Sequence, residues 1–98
     1  MTFEKREELI RLYDIYLNLL TNKQQQYFEE YYFDDLSISE IASNHEISRN
    51  AVFDQIKRVI LNLEEYETKL KLVDKIAKIE GLSFDSELKN KIIDILKE

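Results

Sequence analysis

The sequence has no cysteine, no proline and no tryptophan, and Gly81 is its only glycine. Without cysteine there can be no disulfide and no thiolate metal site. The sequence has few residues that break helices or form tight hairpins, so long helices are expected. No apolar run approaches the roughly 18 residues of a membrane-spanning helix, and the charged N-terminal segment has no apolar signal core. We therefore expect an all-α protein in the cytoplasm.

Length and composition limit the number of domains. The chain has 98 residues, of which 44% are apolar and 35% charged. This composition is typical of a globular protein with a heavily charged surface, and the length suffices for one hydrophobic core. We expect a single all-helical domain over residues 1–98. Its helix-turn-helix core is expected at about 22–63, followed by an extension and a C-terminal helix at 64–98.

The sequence of residues 36–58 has the pattern of two helices joined by a tight turn. Ser37 with Glu40 forms a capping box, which predicts a helix that begins near Ile38. The apolar pattern is interrupted at residues 44–46, and Ser48 then supplies a second N-cap. Apolar residues of both segments can close over one small core with the helices crossed steeply. The pattern is typical of a helix-turn-helix.

The start of the second helix is the candidate nucleic-acid site. Side chains away from its apolar face would project toward base edges and phosphates, as they do in a recognition helix. The candidate binding residues are Ser48, Arg49, Asn50, Phe53, Lys57 and Arg58. The alternative is a solvated helix start without a ligand, which Asp54 in the middle of this face favours.

The chain resembles known helix-turn-helix families. Residues 37–42, 47–49 and Val52 resemble region four of bacterial sigma factors. A more extensive resemblance, to the YlxM family of small helix-turn-helix proteins, covers residues 20–24, 31–37, 40–42, 48–54, 56–58 and 63–70. It implies an all-helical bacterial protein, encoded beside components of the signal recognition particle, with a regulatory or accessory role in that pathway. Glu46 departs from the motif, whose turn usually has glycine with positive φ at this position.

Charge is unevenly distributed along the chain. The net charge is −6, which argues against strong binding to nucleic acid, because such affinity comes largely from lysine and arginine at phosphates. Residues 27–47 contain six acids and no base, whereas residues 48–63 contain one acid and three bases. We expect weak, salt-sensitive nucleic-acid binding by the second segment, or a basic protein partner instead.

Two helices are predicted ahead of the motif. An apolar stripe with a 3.6-residue period predicts the first over residues 3–20, and a capping box of Thr21 with Gln24 predicts the second over residues 22–33. The second contains five aromatic residues. Phe28, Tyr31 and Tyr32 lie at helical spacing and are interpreted as core, rather than as a surface that stacks nucleic-acid bases.

The helix that begins at Arg49 is predicted to continue to Gly81. Apolar residues recur at alternating spacings of four and three, which is typical of a heptad seam. A helix of about 31 residues would be roughly 46 Å long, and part of it would project beyond the core. The C-terminal helix and a second copy of the chain are expected to cover that part. The predicted homodimer interface consists of Tyr66, Leu70, Val73 and Ala77.

No catalytic pattern is found in the sequence. His45, the only histidine, falls in the predicted turn and is expected at the surface, and no nucleophile set, glycine-rich phosphate loop or metal-ligand spacing is present. We predict no enzyme activity, cofactor or metal. The alternatives to an accessory protein are a sequence-specific transcription regulator, and a protein-binding adaptor whose helix-turn-helix is only a scaffold.

Overall fold

The structure of the protein, a computed structural model, describes residues 2–98, which contain helices and no strand. A short 3₁₀ turn, Leu17–Leu19, lies between the first two helices. The α-helices of the described residues are α1 (Phe3–Tyr16), α2 (Asn22–Tyr32), α3 (Ile38–His45), α4 (Arg49–Leu70), α5 (Leu72–Glu80) and α6 (Ser86–Lys97). The predicted all-α fold with a helix-turn-helix is confirmed, and α3 and α4 form that motif.

Local side-chain caps determine where the helices begin. The Ser37 hydroxyl accepts a hydrogen bond from the Glu40 N–H at 3.1 Å, while the Glu40 carboxylate accepts one from the Ser37 N–H. Thr21 and Gln24 form the same reciprocal pair. Ser48 accepts from the Ala51 N–H at 3.0 Å and so caps α4. Each of these caps satisfies N–H groups that the first helical turn leaves without a partner, as the sequence predicted.

The turn between α3 and α4 has a left-handed residue. Glu46 has φ 55° and ψ 43°, and its N–H bonds back to the carbonyls of Ala42 and Ser43. The expectation that this position needs positive φ is therefore confirmed. Glu46 adopts that conformation although its Cβ makes the conformation unfavourable.

Helices α1 to α4 share one hydrophobic core. The buried residues come from one face of each helix and are Leu9, Leu12, Tyr13, Tyr16, Leu20, Tyr27, Phe28, Tyr32, Ile41, Ala42, Val52, Ile56, Val59 and Leu63. Phe28 and Tyr32 are buried as predicted, whereas Tyr31 is only partly buried. The Tyr13 and Phe28 rings stack with centroids 4.2 Å apart. This core holds the helix-turn-helix against α1 and α2.

The first helix is shorter than predicted. Its α-helical part ends at Tyr16 and continues as the 3₁₀ turn instead of reaching residue 20. The Gln25 side-chain amide donates to the Leu17 carbonyl at 2.8 Å, and the Leu20 N–H donates to the same carbonyl. These bonds satisfy a carbonyl at the helix end from outside the helix and tighten the last turn.

The prediction of one helix from Arg49 to Gly81 is wrong. Helix α4 ends at Leu70 after 22 residues, and α5 begins at Leu72. Between them Lys71 has φ 55° and ψ 33°, which is left-handed. A helix cannot pass through a residue in this conformation, so the chain changes direction there.

Contacts from α1 and α4 stabilise this break. The Glu67 carboxylate accepts hydrogen bonds from the N–H groups of Val73 at 3.1 Å and Asp74 at 3.2 Å. The Tyr16 hydroxyl accepts from the Leu72 N–H at 3.0 Å and donates to Glu67 at 2.6 Å. The first N–H groups of α5 therefore have side-chain partners, which a continuous helix would not require.

The break divides the residues of the predicted dimer seam. Tyr66 and Val73 pack against the core of their own chain, and the Tyr66 ring lies 5.9 Å from that of Tyr16. Leu70 and Ala77 are exposed. Because α5 turns away at Lys71, the four residues do not line one continuous helical seam.

Helices α5 and α6 form a hairpin at the C-terminal end of the described chain. Ile76 and Ile93 are its buried residues. The Lys97 ammonium lies 3.3 Å from the Asp14 carboxylate and links α6 to α1. The molecule is elongated, with principal dimensions of 50 × 23 × 21 Å. The start of α4 and the hairpin are therefore separate surfaces.

Candidate nucleic-acid interface

One face of α4, the recognition helix, packs in the core, and another face is exposed to solvent. Val52 and Ile56 of α4 pack in the core together with Ile41 and Ala42 of α3. The cap at Ser48 fixes the first turn of α4. Residues on the opposite face of that turn therefore project outward from a firmly held helix.

All six predicted binding residues are exposed. Ser48, Arg49, Asn50, Phe53, Lys57 and Arg58 lie on the surface. Phe53 has 58% of its surface exposed. The Ser48 hydroxyl already accepts the capping hydrogen bond, so it has less capacity for a ligand.

The structure brings four of these residues together. Arg49, Asn50 and Phe53 line a shallow groove of about 470 Å³ beside the start of α3. Lys57 follows Phe53 by one helical turn and lines the next groove along α4. Arg58 is displaced from Lys57 by about 100° around the helix axis, so it does not join this group.

The cations at the start of α4 are not engaged in close ion pairs within the described part of the chain. Among the described residues, no ion pair within 4.0 Å involves Arg49, Lys57 or Arg58. Their charges are therefore available to phosphates or to acidic side chains. Asp54 is exposed on the same helix and lowers the local positive charge.

Several acids of the 27–47 segment have partners within the protein. Glu29 accepts a hydrogen bond from the Tyr13 hydroxyl at 2.6 Å, and Glu40 caps α3. The Asp35 carboxylate lies 3.5 Å from the Arg6 guanidinium, which partly offsets its charge. The Ser37 N–H and hydroxyl hold the pKa of the Glu40 carboxyl below its ordinary value. This segment therefore uses its acids for structure, but it remains negatively charged.

The expected surface position of His45 is wrong. Its side chain is only 6% exposed, and its Nε2 lies 2.6 Å from Oε2 of Glu30, whose side chain is 13% exposed. The imidazole ring also lies 4.8 Å from the Tyr27 ring. This contact ties the end of α3 to α2 and helps to orient the turn that leads into α4. The sequence gives no signal for it, because Glu30 and His45 lie on different helices.

An apolar groove beside the recognition helix was also missed. It has a volume of about 430 Å³ and lies between α2, α3 and α4. Leu61 at its edge is 57% exposed. The lining residues are Tyr31, Tyr32, Ile38, Phe53, Ile56, Lys57, Ile60 and Leu61. Positions 53, 60 and 61 of α4 are apolar and fall on one side of the helix, with Lys57 among them, which could have indicated a second, largely apolar face.

Within residues 2–98 no group of three or more histidine, cysteine or acidic side chains is arranged to hold a metal ion. Over the same range, no helix is both long enough and apolar enough to cross a bilayer.

Comparison with known proteins identifies the family. Residues 3–97 match a family model described as "Putative helix-turn-helix protein, YlxM / p13 like". UPF0122 protein YlxM of Bacillus subtilis (strain 168) is 49% identical over 75 residues, which cover 76% of this chain and 68% of that protein. A UPF0122 protein of Bacillus thuringiensis (strain Al Hakam) is 45% identical over 91 residues, covering 86% and 83%. The chain belongs to the YlxM/p13-like family of helix-turn-helix proteins.

Proposed function

We propose that this protein is a cytoplasmic regulatory or accessory binding protein that contacts nucleic acid with the start of α4. The observation that supports the proposal is the exposure of Arg49 at the first position of α4, beside Asn50 and Lys57 on a side of the helix that the core leaves uncovered. Arginine and lysine can contact phosphates, and asparagine can form paired hydrogen bonds with an adenine edge. The site requires no cofactor or metal, and the proposed role is binding rather than catalysis.

The expected affinity is low and depends on salt. The whole chain carries a net charge of −6, so the long-range field repels a polyanion, while two or three cations attract it locally. Such a protein binds nucleic acid well only when a second contact adds affinity. We propose that a component of the signal recognition particle, either its RNA or its protein, supplies that second contact, as the family resemblance implies.

Two alternative functions remain as proposals. A sequence-specific transcription regulator would use the same residues on duplex DNA, and a mobility-shift assay would then separate one duplex from random DNA over a range of salt. A protein-binding adaptor is favoured by the apolar groove, which nucleic acid has little reason to fill. If the protein is an adaptor, the double variant Arg49→Ala, Lys57→Ala should bind its partner as tightly as the wild type does.

Affinity capture from native cytosol, with RNA and protein both identified, tests the proposal. The wild-type protein should recover particle components, and the Arg49→Ala, Lys57→Ala variant should lose the nucleic acid. A control with Lys75→Ala and Lys78→Ala removes the same charge from exposed positions of α5 and should behave as wild type. Equal recovery of nucleic acid by both variants would contradict a role for α4. Recovery of proteins alone, unchanged in both variants, would favour the adaptor.

We also propose that the protein is a homodimer. The interface predicted at Tyr66, Leu70, Val73 and Ala77 is divided by the break at Lys71, and two of its members face their own core. Leu70 and Ala77 remain available at the surface. We therefore propose that a second copy would cover apolar surface of the C-terminal hairpin.

A further inference from the structure

Phe53 projects from α4 between two grooves of the surface. It lines the groove beside the start of α3 and also the apolar groove between α2, α3 and α4. Within residues 2–98 its ring makes no contact with another aromatic ring or with a cation. Phe28 and Phe33, by comparison, pack against the Tyr13 ring. An exposed ring without such partners has a face on which a flat ligand can stack.

Cations lie on either side of this ring along the helix. Arg49 precedes Phe53 by four residues and Lys57 follows it by four, so the three side chains lie on one side of α4. The helical rise separates the two cationic residues by roughly 12 Å along the axis. Neither cation has an ion-pair partner within 4.0 Å in the described chain. This side of α4 therefore presents a cation, an aromatic ring and a second cation in turn.

Acidic side chains do not interrupt this series. Within the described chain, neither groove has an acidic residue among those that line it. Asp54 follows Phe53 in the sequence but lies about 100° away from it around the helix axis. Glu64 is on the same side as Phe53, roughly 16 Å farther along α4, and its carboxylate is paired with the Lys5 ammonium at 2.9 Å. The charges beside the ring on this side of α4 are therefore those of the two cations.

We infer that this site binds unpaired nucleotides, with a base stacked on the Phe53 ring and the neighbouring phosphates held by Arg49 and Lys57. The inference rests on the proposed nucleic-acid contact and specifies its ligand. A base inside a duplex has both faces covered by its neighbours. An unpaired base, in a single strand or a hairpin loop, offers a free face to an aromatic side chain, and cations beside the ring hold the backbone.

An acidic peptide is the other ligand that these charges would suit. Such a peptide would gain from the apolar character of Phe53 but not from the planarity of its ring. Leucine at this position would therefore provide nearly the same contact to a peptide, whereas stacking of a base requires the flat face of an aromatic ring. Replacement of the ring by an aliphatic side chain distinguishes the two ligands.

Fluorescence anisotropy at about 50 mM salt, where phosphate contacts are strong, tests the inference. The probes are a labelled RNA of about 12 nucleotides without self-complementarity, and the same strand paired with its complement. The wild-type protein should bind the single strand at least roughly 5-fold more tightly than the duplex, because stacking adds affinity only there. Phe53→Leu should lose this preference, whereas Phe53→Tyr, which keeps an aromatic ring, should retain it.

Phe3→Leu is the matched control for removal of a ring. Phe3 is also exposed but lines neither groove, so this variant should bind both probes as the wild type does. Circular dichroism checks that each variant is folded.

A second measurement reports the stacking itself. The chain has no tryptophan, so Phe53→Trp introduces a single indole at the proposed contact. A base stacked on that indole should quench its fluorescence when the single strand is added, and the duplex should quench it much less. Phe3→Trp, at the control position, should show no quenching by either probe.

The possible failures of the inference and of the proposed function are distinguishable. Equal binding of single strand and duplex, unchanged in Phe53→Leu, would overturn the inference and leave the proposed nucleic-acid contact intact. A preference for the single strand that persists in Phe53→Leu would also overturn it, because the ring would not be the contact. Binding of neither probe at protein concentrations up to the millimolar range would contradict the proposed function and the inference together.

Discussion

Glu46 is the residue with the clearest conformational penalty in the recognition motif. It has φ 55°, and a left-handed conformation costs a residue with a Cβ roughly 1–2 kcal/mol. We predict that Glu46→Gly raises the free energy of unfolding by about 0.5–1 kcal/mol, because glycine avoids this cost but loses more chain entropy on folding. Urea denaturation measures the change. Glu46→Ala, which keeps the Cβ, is the control, and a lower midpoint for the glycine variant would contradict the prediction.

The buried tyrosines predict a loss of stability at alkaline pH. Burial, with a hydrogen bond to Glu67, raises the pKa of Tyr16 to about 12. Burial likewise raises the pKa of Tyr32 to about 12, and burial with a hydrogen bond to Glu29 raises the pKa of Tyr13. An unfolded tyrosine titrates near pH 10, so the folded state retains protons that the unfolded state releases.

Their contribution to stability is therefore complete below about pH 10 and is lost as the pH rises from about 10 through 12. Urea midpoints measured across this range should fall steadily. In Tyr16→Phe the fall should be shallower, although the variant is less stable at neutral pH. A midpoint that stays constant above pH 10 would show that these tyrosines do not lose their protons on unfolding.

At the scale of the helix, the features that could be predicted from the sequence are those that short-range contacts determine. The caps at Thr21, Ser37 and Ser48 depend on residues three positions away, and all three are confirmed. The break at Lys71 was not predicted, since apolar spacing continues across it and one of its stabilising groups, Tyr16, lies on another helix. The partly buried contact of His45 with Glu30 was not predicted for the same reason. Long-range partners, rather than local propensity, decide both features.

The break predicts a specific effect of removing Glu67. Its carboxylate caps the first turn of α5 through Val73 and Asp74, so Glu67→Ala should lower the free energy of unfolding by about 1–3 kcal/mol. Hydrogen exchange at the amides of residues 72–74 should become faster. Glu65→Ala is the control, because it removes an exposed pair with Lys69 and should cost at most about 0.5 kcal/mol. Unchanged exchange at residues 72–74 would show that Glu67 does not cap α5.

At the scale of the whole molecule, the elongated shape separates two surfaces. The start of α4 carries the exposed cations, and the C-terminal hairpin carries exposed apolar residues, among them Leu88 and Ile95. Nucleic-acid contact and self-association, as proposed, therefore use different parts of a chain 50 Å long. We propose that residues 22–63 form the recognition core and that residues 64–98 form an extension.

The location of the candidate site at the start of α4 was predicted from the sequence, but the way its side chains are grouped was not. Exposure of Asn50, Phe53, Lys57 and Arg58 follows from helical periodicity, which places them away from Val52 and Ile56, whereas Ser48 and Arg49 lie at the N-terminal end of α4. Their grouping does not, because it depends on how the start of α3 lies against α4. Arg58 was expected in the site and points to another side of the helix, and the groove beside Lys57 needs three helices to form it.

Fluorescence anisotropy over a range of salt tests the central claim most directly, namely that Arg49 and Lys57 contact phosphate. The probes are a labelled random-sequence DNA duplex and a labelled RNA hairpin. We predict that Arg49→Ala with Lys57→Ala weakens binding and reduces the slope of log affinity against log salt by about two, while the Lys75→Ala, Lys78→Ala control matches wild type. An affinity and a slope that both stay unchanged in the α4 variant would contradict the claim.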